Sequence, residues 1–317
     1  PVLTIPADTT VECTEDTSPA STGTATATDD CAAPNVTFSD VEVADCGNTK
    51  TITRTWTATD ACGNSVSADQ TITVVDTTAP TFNEALPTDV TVECDAVPTA
   101  ETLTANDNCG TATVTFNETT TAGTCDNDYT LTRTWTASDA CGNETIHTQV
   151  ITVQDTTAPT FNEALPTDVT VECDAVPTAE TLTASDNCGD ATVNFEETTT
   201  AGTCDNDYTL TRTWTASDAC GNETIHNQVI TVQDTTAPTV SVPADITIEC
   251  TDDESSANTG VATGADTCGT VTITQSDVET AACGNTKTIV RTWTVTDECG
   301  NSVSADQTIT VVDTTPP

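Results

Sequence analysis

Sixteen cysteines and fifty acidic residues are the side chains with the most chemistry to offer in this 317-residue chain, and both recur on one period. The cysteines come in fours: Cys13, Cys31, Cys46 and Cys62, then Cys94, Cys109, Cys125 and Cys141, then Cys173, Cys188, Cys204 and Cys220, then Cys250, Cys268, Cys283 and Cys299. An even number at matching positions in a small repeated unit reads as a disulfide framework made in an oxidising compartment. Zinc is the rival chemistry. No Cys-x-x-Cys occurs, cysteines within a repeat stand 15 to 18 residues apart, and His147 and His226 belong only to the middle copies, so the spacing and the ligand set both argue against it. A catalytic thiol fares worse, because a nucleophile copied sixteen times has no partnering base.

The acidic residues outnumber lysine and arginine fifty to six, for a net charge of −44. That repels the phosphates of nucleic acid and disfavours an anionic membrane surface. No stretch approaches the ~20 apolar residues of a membrane span and no signal peptide opens the chain, so export is inferred from the cysteines alone. The carboxylates are densest in prospect at the repeat boundaries, which read Asp76-Thr-Thr-Ala-Pro80, Asp155-Thr-Thr-Ala-Pro159 and Asp234-Thr-Thr-Ala-Pro238. Strand direction sets each linker beside the upstream end of the following repeat. That end carries Asp107 and Asp139, or Asp186 and Asp218, or Asp266 and Asp297. Three converging carboxylates repel unless a hard cation lies between them, and calcium, with six to eight oxygen ligands, suits such a site better than magnesium. The expectation is a structural Ca2+ at each boundary, weighed against the habit of Asp and Asn to populate turns by bonding their own backbone. No EF-hand loop is present.

These groups are positioned by a module of 79 residues repeated four times, with boundaries at 1–79, 80–158, 159–237 and 238–317. The second and third copies differ at five positions, among them Asn106/Ser185 and Thr148/Asn227. The signature of each copy is Arg-Thr-Trp-Thr, followed by a Cys-Gly-Asn turn, as in Arg133 to Asn143. Leu131, Arg133, Trp135 and Ala137 share one face of a strand, and Thr130, Thr132, Thr134 and Thr136 share the other. Cys141 lies midway between Arg133 and Gln149, so a hairpin about that turn sets Arg133 opposite Gln149 and Trp135 opposite His147. The arginine stem then packs beside the tryptophan while its head reaches water or the glutamine. The histidine alternates with Ala68 and Ala305 in the outer copies and is given no chemistry. With no 3.6-residue apolar stripe, no helices are expected. In the second copy strands are expected over 89–94, 99–105, 111–117, 128–138 and 144–154. Six or seven short strands per module predict an all-β chain, a tandem array of four small antiparallel immunoglobulin-like sandwiches in an extended rod.

Only 3% of the residues are aromatic, so each core is small and cross-links must assist it. Four cysteines allow three pairings, and the sequence leaves all three open. An immunoglobulin-like topology favours Cys94–Cys125 and Cys109–Cys141, with Cys13–Cys46, Cys31–Cys62, Cys173–Cys204, Cys188–Cys220, Cys250–Cys283 and Cys268–Cys299 as their copies. Each closes a loop of some thirty residues, worth ~3 kcal/mol in the chain-entropy account.

The motifs Thr-Trp-Thr-Ala-(Thr/Ser)-Asp-Ala-Cys-Gly-Asn and Val-(Val/Gln)-Asp-Thr-Thr-Ala-Pro resemble those of HYR-like and immunoglobulin-like repeats of large bacterial surface proteins. The resemblance implies a β-sandwich spacer or adhesive unit, in adhesins of gliding bacteria exported by type IX secretion. The chain departs from HYR modules in having no cysteine between Ser65 and Asp76. Asp-Thr-Thr also resembles a bacterial O-glycosylation acceptor, which would place glycan on Thr77, Thr156 or Thr235.

The expected function is therefore non-catalytic: a disulfide-stapled, calcium-rigidified stalk or adhesin region at the bacterial surface. Its partners are the neighbouring repeats of the same chain, with identical chains in a filament as an alternative. A spacer region in a large secreted enzyme is another alternative. An ice-binding face on the outward threonines (Thr51, Thr53, Thr55, Thr57) is the remotest reading, since threonine on a strand is ordinary β chemistry. An enzyme is not expected, because no nucleophile elbow appears and the acidic residues are scattered among turns.

Overall fold

Threonine at every second position leaves the intervening side chains one face to share, and in the computed structural model, which describes residues 1–316, that face is the core. In the first repeat the elements are β1 (Val2–Thr4), β2 (Thr9–Glu12), α1 (Pro19–Thr22), β3 (Thr26–Thr28), β4 (Asn35–Ala44), β5 (Lys50–Thr59) and β6 (Ser65–Val75). They form a two-stranded sheet, β1–β3, and a four-stranded sheet in the order β2-β6-β5-β4. The same sheet pair recurs in all four repeats.

The signature strand β5 is central in its sheet and alternates buried with half-buried residues along its length. Its tryptophan is 2% exposed, and Ile52, Ile72 and Val74 form a cluster joined by Val11 and Cys13. The hairpin register is as the spacing predicts, with Arg54 opposite Gln70 and, in the second repeat, Arg133 opposite Gln149 and Trp135 opposite His147.

Four expectations are corrected. The sheets are not wholly antiparallel, because β2 runs parallel to β6, crossing from one sheet to the other after β1. Short helices do occur: α1 begins on Pro19, whose fixed φ suits a first helical turn, and a 3-10 turn spans Cys94–Ala96. In the second repeat the expected strand over 99–105 shrinks to Ala105–Asn106, and a short strand at Thr81–Phe82, not anticipated, pairs with it. The strand expected over 111–117 spans Thr113–Ala122, so it takes in the first part of the 118–128 connection, where at most a short separate edge strand is expected.

The chain divides into two compact units, Pro1–Thr156 and Thr157–Pro317, each holding two sheet pairs. Among the described residues no helix is long and apolar enough to cross a membrane.

Candidate junction site

Between the two repeats of the first unit, the linker leaves β6 at Val75 and is gripped from both sides. From the repeat behind, Glu12 on β2 accepts hydrogen bonds from the Thr77 hydroxyl (2.5 Å) and the Thr77 amide (3.3 Å). From the repeat ahead, Asn143 donates its side-chain amide to the Asp76 carbonyl (3.1 Å) and the Thr145 hydroxyl donates to the Pro80 carbonyl (2.6 Å). Asn143 is held for this by Asp139. One carboxylate oxygen of Asp139 accepts from the amides of Cys141 (2.8 Å) and Asn143 (2.9 Å), while the other accepts from the Asn143 side chain (2.7 Å). Asp107 makes the neighbouring turn, its Oδ2 accepting from the Cys109 amide at 2.6 Å. The Asp-x-Cys spacing thus serves two jobs: the aspartate closes the turn and the turn aims the sulfur.

The sulfurs are aimed at the adjoining repeat. Cys13 is bonded to Cys109 and Cys46 to Cys141, with Cα atoms 5.8 and 5.1 Å apart. The second unit repeats the rule with Cys173–Cys268 and Cys204–Cys299. The expected pairings Cys13–Cys46, Cys109–Cys141, Cys173–Cys204 and Cys268–Cys299 are therefore replaced by bridges between repeats. Cys31, Cys62, Cys250 and Cys283 are free thiols, so Cys31–Cys62 and Cys250–Cys283 do not form either. Cys94, Cys125, Cys188 and Cys220 are all disulfide-bonded. The physical reason lies in the fold. The first and third cysteines of a repeat sit at its downstream end and the second and fourth at its upstream end. Each pair of ends therefore meets its complement only across a boundary.

Beside these bridges the carboxylates gather. Oxygens of Asp76 and Asp107 and the Cys109 sulfur lie within 4.8 Å of one another. That sulfur is in a disulfide and offers no thiolate, so any ligand set is built from oxygen. Burial pushes the Asp76 carboxyl above the usual aspartate range, and the charges of Asp107 and Asp139 add to the rise. Asp139 moves the other way: burial raises it, but the hydrogen bonds from Asn143, Cys141 and Gly142 outweigh that and hold it low. Asp107 Oδ1 is buried and receives no hydrogen bond. An orphaned buried carboxylate oxygen beside a second carboxylate whose charge is disfavoured is what a divalent cation would relieve.

The second unit builds the same arrangement from Asp234, Asp266 and Asp297. Asn301 donates to the Asp234 carbonyl at 2.9 Å, the Cys268 amide donates to Asp266 at 2.7 Å, and Asp297 Oδ2 is buried without a partner. Asp234 is again raised, by burial first and then by Asp266, Asp297 and Glu172. Of the third predicted trio, Asp155 is buried in the first unit, while Asp186 and Asp218 make the same Asp-x-Cys turns in the second.

The three threonines marked for glycan are each bonded to a glutamate. Thr77 donates to Glu12, Thr156 to Glu93 and Thr235 to Glu172, the last at 2.6 Å. This Glu–Thr clamp was not foreseen, though the Glu-Cys dipeptide of each repeat recurs in step with Asp-Thr-Thr.

Nor was the fate of the arginines. Arg54 does not reach water. It is 2% exposed, and its guanidinium forms a two-pronged pair with Asp40 (2.8 Å each) while donating to the Thr22 hydroxyl and the Thr17 carbonyl. Asp40 stands directly opposite on β4. Arg291 forms the same two-pronged pair with Asp277, while Arg133 and Arg212 each make one bond of 2.8 Å, to Glu118 and Glu197 on the facing strand. The glutamine beside it completes the network, Gln70 accepting from the Trp56 indole at 3.1 Å. The His147 ring lies tilted beside Trp135, centroids 5.9 Å apart, and bonds the Pro87 carbonyl, a packing role.

Residues 82–153 and 161–232 match a family model, the HYR-like domain with 4 cysteines. The matches fall on two tandem repeats and together span less than half of the chain. No curated protein matches the chain. Solved structures similar to it include the protocadherin GammaB4 extracellular domain, at 13% identity over 89% of this chain and 61% of that one, with a TM-score of 0.33. Others are protocadherin gammaB7 EC3-6 (12% identity, 98% and 100% covered, TM-score 0.36) and Drosophila N-cadherin EC1-4 (15% identity, 83% and 84% covered, TM-score 0.26). The chain spans about three-fifths of the length of the GammaB4 structure. At these similarities the fold rests on the strand pairings described above.

Proposed function

We propose that this chain is a load-bearing spacer of an extracellular, adhesion-related repeat protein, displayed on a bacterial surface. The observation that carries the reading is the pair of disulfides crossing the boundary within each unit. Three covalent strands, the linker and two bridges, then connect the two repeats of each unit, so a pull along the chain cannot unhinge them at the linker. Disulfides of this number belong to an oxidising compartment outside the cytosol. An array of such units, ~35–45 Å each for strands of about ten residues, would act as a stalk. The matched family, the HYR-like domain with 4 cysteines, occurs here in two tandem copies, which supports the reading as a repeat array.

Calcium is the proposed stiffener, held by the carboxylates of Asp76, Asp107 and Asp139 in the first unit and of Asp234, Asp266 and Asp297 in the second. The unpartnered oxygens of Asp107 and Asp297 support it. Solution scattering of the whole chain with calcium, with chelator and with reductant tests the reading. An elongated particle that loses stiffness on reduction is expected, and a compact globule would overturn it. A second reading, assembly of identical chains into a filament, is favoured by the four free thiols.

A further inference from the structure

The four free cysteines are set in the same backbone frames as the bridged ones. At the upstream side, Cys31 donates its amide to Asp29 at 3.0 Å and Cys62 donates to Asp60 at 2.8 Å. These are the turns that aim Cys109 and Cys141 from Asp107 and Asp139. At the downstream side, the Cys250 amide donates to the Val312 carbonyl at 2.8 Å, as Cys13 does to Val75 at 2.9 Å. Cys283 sits in a turn closed by Thr286, whose hydroxyl bonds the Cys283 carbonyl at 2.7 Å, just as Thr49 bonds Cys46 at 2.6 Å. The linker is prepared too. Thr314 is clamped by Glu249 and the Thr315 amide donates to Asp313, matching Thr77 on Glu12 and Thr78 on Asp76. One surface is thus a complete upstream half of a junction and the other a complete downstream half, each with its sulfurs exposed or half-buried.

We infer that each half binds a further four-cysteine module of this same type, so that Cys31 and Cys62 accept the first and third cysteines of one module while Cys250 and Cys283 join the second and fourth of another. This deepens the reading of disulfide-joined repeats and rests on it. A second copy of this chain carries both complementary halves and is the natural probe. Each bridge forms by thiol–disulfide exchange with a low-molecular-weight disulfide such as oxidised glutathione. A thiolate of one module displaces one glutathione thiol to give a mixed disulfide, and the thiolate of the other module displaces the second. Two protein thiols are oxidised and one glutathione disulfide is reduced to two thiols at every bridge.

The test uses the whole chain, purified with its interior bridges intact and concentrated in a glutathione redox buffer. A ladder of covalent oligomers should appear without reductant. Peptide maps should join Cys250 to Cys31 and Cys283 to Cys62 of different chains. The double variants C31S/C62S and C250S/C283S should each stay single alone and should form dimers, and nothing larger, when mixed. Bonding of Cys31 to Cys62 within one chain, like-to-like pairs such as Cys31 to Cys31, or a chain that stays monomeric with glutathione-capped thiols would each overturn the inference. The same maps report on the reading beneath it. If Cys13–Cys109 and Cys46–Cys141 are present while the outer thiols go elsewhere, only this inference fails; if those bridges are missing, the proposed function fails with it.

Discussion

The turn Cys46-Gly47-Asn48-Thr49-Lys50 and its copy from Cys283 to Lys287 share one sequence and differ in what surrounds them. In the first, Thr49 is 5% exposed, the Asn48 amide donates to the Cys109 carbonyl of the next repeat at 3.1 Å, and Cys46 is bonded to Cys141. In the second, Cys283 is exposed and Thr286 is half-buried. Yet the turn itself is the same, with the threonine amide and hydroxyl both closing on the cysteine carbonyl. The aspartate turns tell the same story, Asp29 and Asp60 matching Asp107 and Asp139 in their local bonds. Local sequence therefore makes the half-junction, and only the neighbour makes the site.

The bridges should separate the two surroundings most. Cys46–Cys141 closes a loop of sequence separation 95, and replacing both residues by alanine is expected to cost about 4.5 kcal/mol in the chain-entropy account. Cys62→Ser and Cys283→Ser, on exposed thiols, should stay within ~0.5 kcal/mol. Urea midpoints of the four-thiol chain and its variants measure both. The buried ion pair inside the repeat serves as the control, since it does not depend on the neighbour. Asp40→Ala and Asp277→Ala each leave an arginine, 2% exposed, without its carboxylate, so each should lose about 3 kcal/mol and to the same extent. Unequal losses would mean that the first and last repeats differ in their interiors and not only in their surroundings.

Calcium and pH sharpen the contrast next. At a hundred times its dissociation constant, calcium should add about 2.7 kcal/mol of stability through the junction, and Asp107→Asn should abolish that gain while Asp29→Asn leaves it. Calorimetric melting with calcium and with chelator decides it. Without calcium, the two kinds of aspartate should bend the pH curve in opposite directions. Asp76 is raised in the folded chain, by burial first, so the native state holds its proton more tightly. Its contribution falls as pH rises from the ordinary value near 3.8 through the raised one. Asp60 is lowered, first by the Asn64 side chain. Its contribution is present above 3.8 and is lost as pH falls through the lowered value. Melting temperatures from pH 3 to 6 should thus lose a downward slope in Asp76→Asn and an upward one in Asp60→Asn.

The hairpin register was legible because the Cys-Gly-Asn turn fixes a centre and the alternation fixes the phase, which together pair Arg133 with Gln149. The partner of the arginine head was not. It depends on how β4 lies against β5, and the connections there, from Ala44 to Lys50 and from Ala122 to Tyr129, differ in length between copies. The aspartates at the junction could be read from strand direction, since Asp76, Asp107 and Asp139 are brought together by the ends of three different segments. The disulfides could not, for a reason inherent to repetition. With a period of 79, Cys31 and Cys109 occupy equivalent places, so bonding Cys13 to its own repeat or to the next gives the same sequence pattern. Only the distance between the two ends of a module breaks that tie, and distance is a property of the folded chain.

The smallest expected difference is also the cleanest, because it concerns one atom. Gly47 and Gly284 occupy the same turn at φ of 54° and 63°, the left-handed region that an alanine enters at a cost of about 1–2 kcal/mol. That cost is common to both and cancels in a comparison. A methyl group on Gly284 would meet nothing within 4 Å, whereas on Gly47 it would stand 3.3 Å from the Cys109 carbonyl oxygen and 3.7 Å from Ala140. The extra penalty at Gly47 is the carbonyl oxygen's alone. That oxygen cannot retreat freely, because it also accepts the Asn48 amide and its residue is tied to Cys13. Gly47→Ala should therefore be the less stable of the two by a few tenths of a kcal/mol in urea unfolding, the scale of a contact slightly too close. If the two variants unfold together, the repeats of the first unit are not packed at that turn, and the linker and the bridges hold them without it.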